Sequence, residues 1–104
     1  MSVDYSGYRS LQVVRHERGI TEVIMGQDGK LPAADHVGHG ELADIWRDLD
    51  RDPEVSVIIV RGQAKGFSAG GTLELVSDMI DDFAHRARVW KEARDIVYNM
   101  INCS

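Results

Sequence analysis

Short β-type runs and helix-type stripes succeed one another along this chain, separated by polar turns. Leu11 and Val13, then Ile20, Val23 and Ile24, mark two short strands around His16-Glu17-Arg18-Gly19, a hairpin pattern. Residues 26–40, GQDGKLPAADHVGHG, are dense in glycine and turn formers and predict a loop. From Glu41 onward Leu42, Ile45, Trp46 and Leu49 recur at three- and four-residue spacing, with acids and Arg47 opposite, which predicts an amphipathic helix. Pro53 stops it, because proline disfavours helical geometry in the residue before it. Val55, Val57, Ile58, Ile59 and Val60 then make a strand apolar at nearly every position, the signature of a parallel strand buried on both faces.

After this strand the glycines 66, 70 and 71 turn the chain into a short helix over about 72–79. A longer helix is predicted to begin near Asp81-Asp82, whose carboxylates suit a helix start. Its stripe of Phe83, Ala87, Trp90, Ala93/Arg94, Val97, Met100 and Ile101 is regular over five turns and predicts burial. Trp46 and Trp90 fall on the two stripes and are expected in the core or at an interface. The pattern is that of an α/β chain with a polar, flexible N-terminus over 1–10 and one folded segment over 11–104.

Strand, glycine loop, then helix start is an arrangement with chemical consequences. The first N–H groups of a helix have no internal partner, and the helix dipole adds partial positive charge there. Such a turn can hold an oxygen that becomes negative during a reaction.

Composition narrows the partners. The chain has 104 residues, 43% hydrophobic and 28% charged, with a net charge of −5. That argues against a nucleic-acid or anionic-membrane partner and leaves room for a phosphate-bearing small ligand. With Cys103 as its only cysteine the chain can form no internal disulfide, so a reducing, cytoplasmic compartment is expected. Cys103 itself reads as a buried apolar residue rather than a reactive thiol. No apolar run has the length of a signal peptide or a membrane span. The ending YNMINCS closes an apolar helix without a glycine cap, and a strand buried on both faces needs more neighbours than this chain supplies. Both features predict a piece of a larger fold.

Several motifs admit a chemical and a plain reading. GFSAG at 66–70 matches the G-x-S-x-G nucleophile elbow, with Asp78 or Asp81 and His85 downstream as candidate triad partners of Ser68. Against that, Gly62-Gln63-Ala64-Lys65 separates the strand from the turn, whereas an elbow strand runs almost directly into it. G-x-x-K-G at 62–66 lacks the full P-loop spacing, leaving Lys65 as a solvated loop lysine or a phosphate contact. His36 and His39 could share a metal, but with no third ligand nearby in sequence a solvent-exposed loop is the better reading. The acids of 41–51 and 78–82 read as a solvated face.

The succession ITEVIMG, an amphipathic helix, DRDPEVSVIIVRG, QAKGFSAGGTLEL and a long helix resembles the N-terminal part of the crotonase (enoyl-CoA hydratase/isomerase) superfamily. The family loop G-x-G-K-x-F-[SC]-A-G-[AG]-D-[LI] is matched here by G-Q-A-K-G-F-S-A-G-G-T-L, and the resemblance extends over roughly residues 10–104. It implies the N-terminal part of a ββα spiral (crotonase/ClpP-like) fold. It also implies an acyl-coenzyme A thioester as substrate, with coenzyme A entering as part of the substrate and no separate cofactor. Two backbone N–H groups would hold the thioester oxygen as it becomes an enolate. Matching the motif residue by residue places the first donor on Gly71. The same matching implies coenzyme A or acyl contacts along Ser68, Ala69, Gly70, Thr72, Leu73 and Glu74, from Lys65, and from Ala33 and Ala34. Thr72 stands where family members usually carry aspartate, which keeps a capping hydroxyl but loses a carboxylate. The second donor and the acid/base carboxylates are expected beyond Ser104, so these 104 residues hold half an active site and are expected to be inactive alone. Trimers or pairs of trimers are what the resemblance implies for assembly. A serine hydrolase using Ser68 and a non-catalytic interaction module are the competing readings.

Overall fold

The computed structural model describes residues 3–26, 32–63 and 66–103. Strands β1 (Leu11–Arg15) and β2 (Ile20–Met25) pair antiparallel, with Leu11 opposite Met25 and Arg15 opposite Thr21. The turn between them holds Arg18 in the left-handed region at φ 63°. Helix α1 (His36–Arg51) then carries the chain to β3 (Val57–Gly62), which pairs parallel to β2. The sheet order is β1-β2-β3. Helices α2 (Leu73–Asp81) and α3 (Phe83–Ile101) follow.

The core forms where the apolar stripe of α1 meets one face of the sheet. Leu11, Val23, Met25, Ile45, Trp46 and Leu49 are all buried, and Val13, Leu42, Ile58 and Val60 pack against them. Each such side chain withdrawn from water contributes about 1.5–3 kcal/mol, which fixes the register of α1 on the sheet. Helix α3 lies against α1, and polar contacts join the two. His39 Nδ1 lies 2.8 Å from Glu92 Oε1, and Asn99 Nδ2 donates to the Ala43 carbonyl at 2.8 Å.

Four expectations change. Helix α1 starts at His36, five residues before the expected Glu41, because Asp35 caps it by accepting from the Gly38 N–H at 2.7 Å. Strand β3 is covered on one face only. Ile58 and Val60 point towards the core, while Val57 and Ile59 remain 52% and 46% exposed on a face that no element of the described residues covers. The α3 stripe is likewise turned outward, with Phe83, Trp90, Val97, Met100 and Ile101 exposed. The face through His85, Arg88, Val89, Glu92 and Asn99 takes the inner side instead. Periodicity identifies a face that favours burial, not the surface that will bury it.

Finally, residues 3–10 do not trail away from the domain. Tyr5 and Tyr8 donate their hydroxyls to Asp52 and Asp48, and the Arg9 and Ser10 N–H groups donate to the Glu41 carboxylate at 2.8 and 2.7 Å. Glu41 and Asp48, expected on a solvated face, thus anchor this segment together with Asp52. Among the described residues no helix is long and apolar enough to cross a membrane.

Candidate active site

The site grows from the exit of β3. A Cβ on Gly62 would collide with the carbonyl oxygens of Gly66 and Phe67, so a side chain there is excluded by the returning loop. Gly70 adopts φ +90°, a conformation that residues with a Cβ rarely take, and this brings the chain alongside the segment before α1. Residues 32–34 and 69–72 then run parallel. The Ala69 N–H donates to the Pro32 carbonyl at 2.6 Å, the Ala34 N–H to the Gly70 carbonyl at 2.8 Å, and the Thr72 N–H to the Ala34 carbonyl at 2.9 Å.

This pattern sets the direction of one amide. In a parallel bridge a residue bonds to the neighbours of its partner, so Ala34 engages Gly70 and Thr72 and skips Gly71. The Gly71 N–H therefore points to the opposite edge, and among the described residues it donates no hydrogen bond. Gly71 is exposed and immediately precedes Thr72, the N-cap of α2. The Thr72 hydroxyl accepts from the Leu75 N–H at 3.1 Å, so threonine fulfils the capping role without a carboxylate. The free amide thus sits at the positive end of a nine-residue helix.

Beside this bridge lies a cavity of about 230 Å³. Ala33, Ala34 and Ser68 line it together with Leu11, Met25 and Leu42. Gly71, Ala69, Gly70, Thr72, Leu73 and Glu74 do not. Leu73 is 89% exposed on the outer side of α2, and Glu74 is exposed in its first turn. The structure therefore divides the candidate residues into three groups: cavity wall, bridge, and outer helix surface. Lys65 lies outside the described residues. Pro32 and Asp35 are cavity residues that the sequence reading passed over. The Asp35-x-x-Gly38 spacing before the α1 stripe is an N-cap signal that could have located the latter.

The Ser68 elbow is not assembled. Ser68 Oγ accepts from the Gly70 N–H at 3.0 Å, and no hydrogen bond among the described residues joins it to a histidine. His85 Nδ1 accepts from Arg88, and Asp78 pairs with His36. His36 and His39 are in α1 rather than a solvated loop, each paired with a carboxylate, from α2 and α3 respectively. Among the described residues no three His, Cys, Asp or Glu converge as a metal site. Cys103 is half-buried, and burial, with Asp50 nearby, pushes its thiol up, so it stays protonated.

No protein-family model and no curated protein matches the sequence. Solved structures do match. An enoyl-CoA hydratase/isomerase from Mycobacterium paratuberculosis superposes with a TM-score of 0.85 at 25% identity, over 95% of this chain and 39% of that one. This chain has the N-terminal part of the crotonase fold. Two further structures share this fold. A beta-diketone hydrolase from the cyanobacterium Anabaena sp. PCC 7120, bound to (S)-3-oxocyclohexyl acetic acid, gives 0.78 at 24% identity, over 91% of this chain and 38% of that one. An enoyl-CoA hydratase/carnithine racemase from Magnetospirillum magneticum gives 0.77 at 21% identity, over 91% and 36%. The chain spans less than two fifths of the length of these crotonase-fold structures.

Proposed function

We propose that this chain supplies one half of an oxyanion hole in an acyl-coenzyme A-processing enzyme of the hydratase/isomerase type. The observation that carries the reading is the Gly71 amide: unpaired among the described residues, exposed, and directly before the cap of α2. A thioester oxygen placed there would meet a preorganised donor and the positive end of a helix as it gains negative charge. Ala33, Ala34 and Ser68, on the cavity wall, would contact the substrate, with the missing side chains of Gly70 and Gly71 permitting its close approach. The second donor and the proton-transferring carboxylates would come from polypeptide outside residues 1–104. These residues alone are accordingly expected to show no turnover.

Turnover of a 2-enoyl-CoA by the full-length polypeptide, followed through loss of the conjugated thioester's absorbance, tests this reading. Ser68→Ala separates it from the hydrolase alternative. Removing a serine nucleophile lowers kcat on the order of 10⁶-fold. Here the hydroxyl accepts from the Gly70 N–H and could at most add a substrate contact, so the variant is expected to lose far less than that. A loss on that scale would favour the hydrolase.

The outward apolar side chains also bear on assembly. Trp90, Val97 and Ile101 stand exposed along one helix, and exposed apolar side chains grouped in this way favour association. We expect the 104-residue chain to self-associate, and Trp90→Glu with Ile101→Glu to disperse it, as read by sedimentation velocity. A monodisperse wild-type monomer would contradict the expectation.

A further inference from the structure

We propose that Arg88 is a positioning residue for the Gly71 amide, acting through His36; the catalytic consequence rests on the function proposed above. Helix α1 begins two residues after Ala34, and α2 begins two residues after Gly71, so the two halves of the bridge lead directly into the two helices. His36, the first residue of α1, lies with Nε2 at 2.7 Å from Asp78 Oδ2 in α2. Arg88 of α3 places Nη2 at 3.2 Å from His36 Nδ1 and at 3.0 Å from His85 Nδ1. Arginine can only donate, so both Nδ1 atoms must be bare acceptors. The His36 hydrogen therefore sits on Nε2 and is donated to Asp78. One guanidinium nitrogen thus selects the tautomer that joins α1 to α2, and it also holds the His85 ring, 5.3 Å away from that of His36, on α3.

The bridge needs this external support. Ala34 and Gly71 form an isolated bridge outside the three-stranded sheet, so it lacks the cooperative ladder that protects β1 and β2. A pairing of that size opens locally at little free-energy cost unless its flanking elements are held. The clamp from Arg88 through His36 to Asp78 holds both, and with them the direction of the amide that Ala34 leaves unengaged. His39 and Glu92, one turn further along α1, tie α3 to α1 independently, so loss of Arg88 would loosen the helix starts without releasing α3.

Amide hydrogen exchange, measured residue by residue in the full chain, tests the clamp without any substrate. In Arg88→Ala the Ala34 and Thr72 amides are expected to exchange about tenfold faster or more, while sheet amides such as Val14 and Val23 keep their wild-type rates. His36→Ala should reproduce the effect. Arg88→Lys, whose ammonium donates from a single point, should restore part of the protection. Unchanged exchange at Ala34 and Thr72, or acceleration in step with the sheet, overturns the proposal. Turnover by the full-length polypeptide adds a separate arm: Arg88→Ala should lower kcat and leave KM largely unmoved. A loosened bridge with intact turnover would sink the role of the Gly71 amide while leaving the clamp standing.

Discussion

Replacing Gly71 with proline in the full-length polypeptide is expected to lower turnover of a 2-enoyl-CoA by about 10²–10³-fold, the effect of deleting one oxyanion donor. Proline removes the N–H, adds its ring carbons and fixes φ at about −65°. That N–H serves no hydrogen bond of the fold among the described residues, so no internal bond is lost. The added Cβ would approach Leu75 Cδ2 to 2.9 Å, so the end of this buried side chain must shift in either variant. Gly70 can accommodate a following proline better than any other residue. Gly71→Ala is the matching control, since it introduces the same Cβ contact and keeps the donor. The expected pattern is a large fall in kcat for proline, a small one for alanine, and similar melting temperatures for both. Equal turnover in the two variants would remove the Gly71 amide from the chemistry.

Asp52→Ala is expected to destabilise the chain by about 3 kcal/mol, because it leaves several donors of one buried cluster without their acceptor. For a domain of this size that corresponds to a drop of roughly 10–20 °C in Tm. The Asp52 side chain is fully buried. It accepts from the Arg15 guanidinium at 2.6 Å, the Tyr5 hydroxyl at 2.8 Å and the Glu54 N–H at 3.0 Å. Burial alone would raise its pKa, but these hydrogen bonds outweigh burial and hold the carboxyl at about 2, below its ordinary value of 3.8. The sign follows. A carboxylate with a depressed folded-state pKa stabilises fully above its unfolded value near 3.8, and that contribution disappears as pH falls through about 2. Acid unfolding followed by circular dichroism should therefore show wild type losing, between about pH 4 and pH 2, a stability increment that Asp52→Ala never had. Parallel acid profiles for the two proteins would contradict the linkage. The same carboxylate acts on the cluster from the opposite side: burial and the hydrogen bond to Asp52 push the Tyr5 hydroxyl up, so it remains a donor throughout this range.

Much of the architecture was legible in the pattern of side chains. Leu42, Ile45, Trp46 and Leu49 announce the buried face of α1, and all but the partly buried Leu42 are withdrawn from solvent. Asp82 marks the start of α3, which it caps by accepting from the Ala84 N–H. The glycines at 66, 70 and 71 announce the tight turn between β3 and α2. These features are local: periodicity, capping and the need for a missing side chain act within a few residues, so sequence spacing carries them.

What the chain's local pattern could not carry were the pairings between distant segments. Asp35 offers a cap, but Gly38 and Gly40 weaken the helical signal after it, so local pattern alone does not start α1 at His36. The tie to Asp78, 42 positions away, depends on how α2 folds back. The acids at 41 and 48 look like a solvated face until the Arg9 and Ser10 amides and Tyr8 are brought against them, and the role of Asp52 appears only with Tyr5 and Arg15 beside it. An apolar run in β3 is equally compatible with one covered face or two, because hydrophobicity is not directional. The direction of the Gly71 amide belongs to the same class. It follows from Ala34 occupying the other edge of residues 70–72, a juxtaposition of segments 37 residues apart that only the folded chain creates.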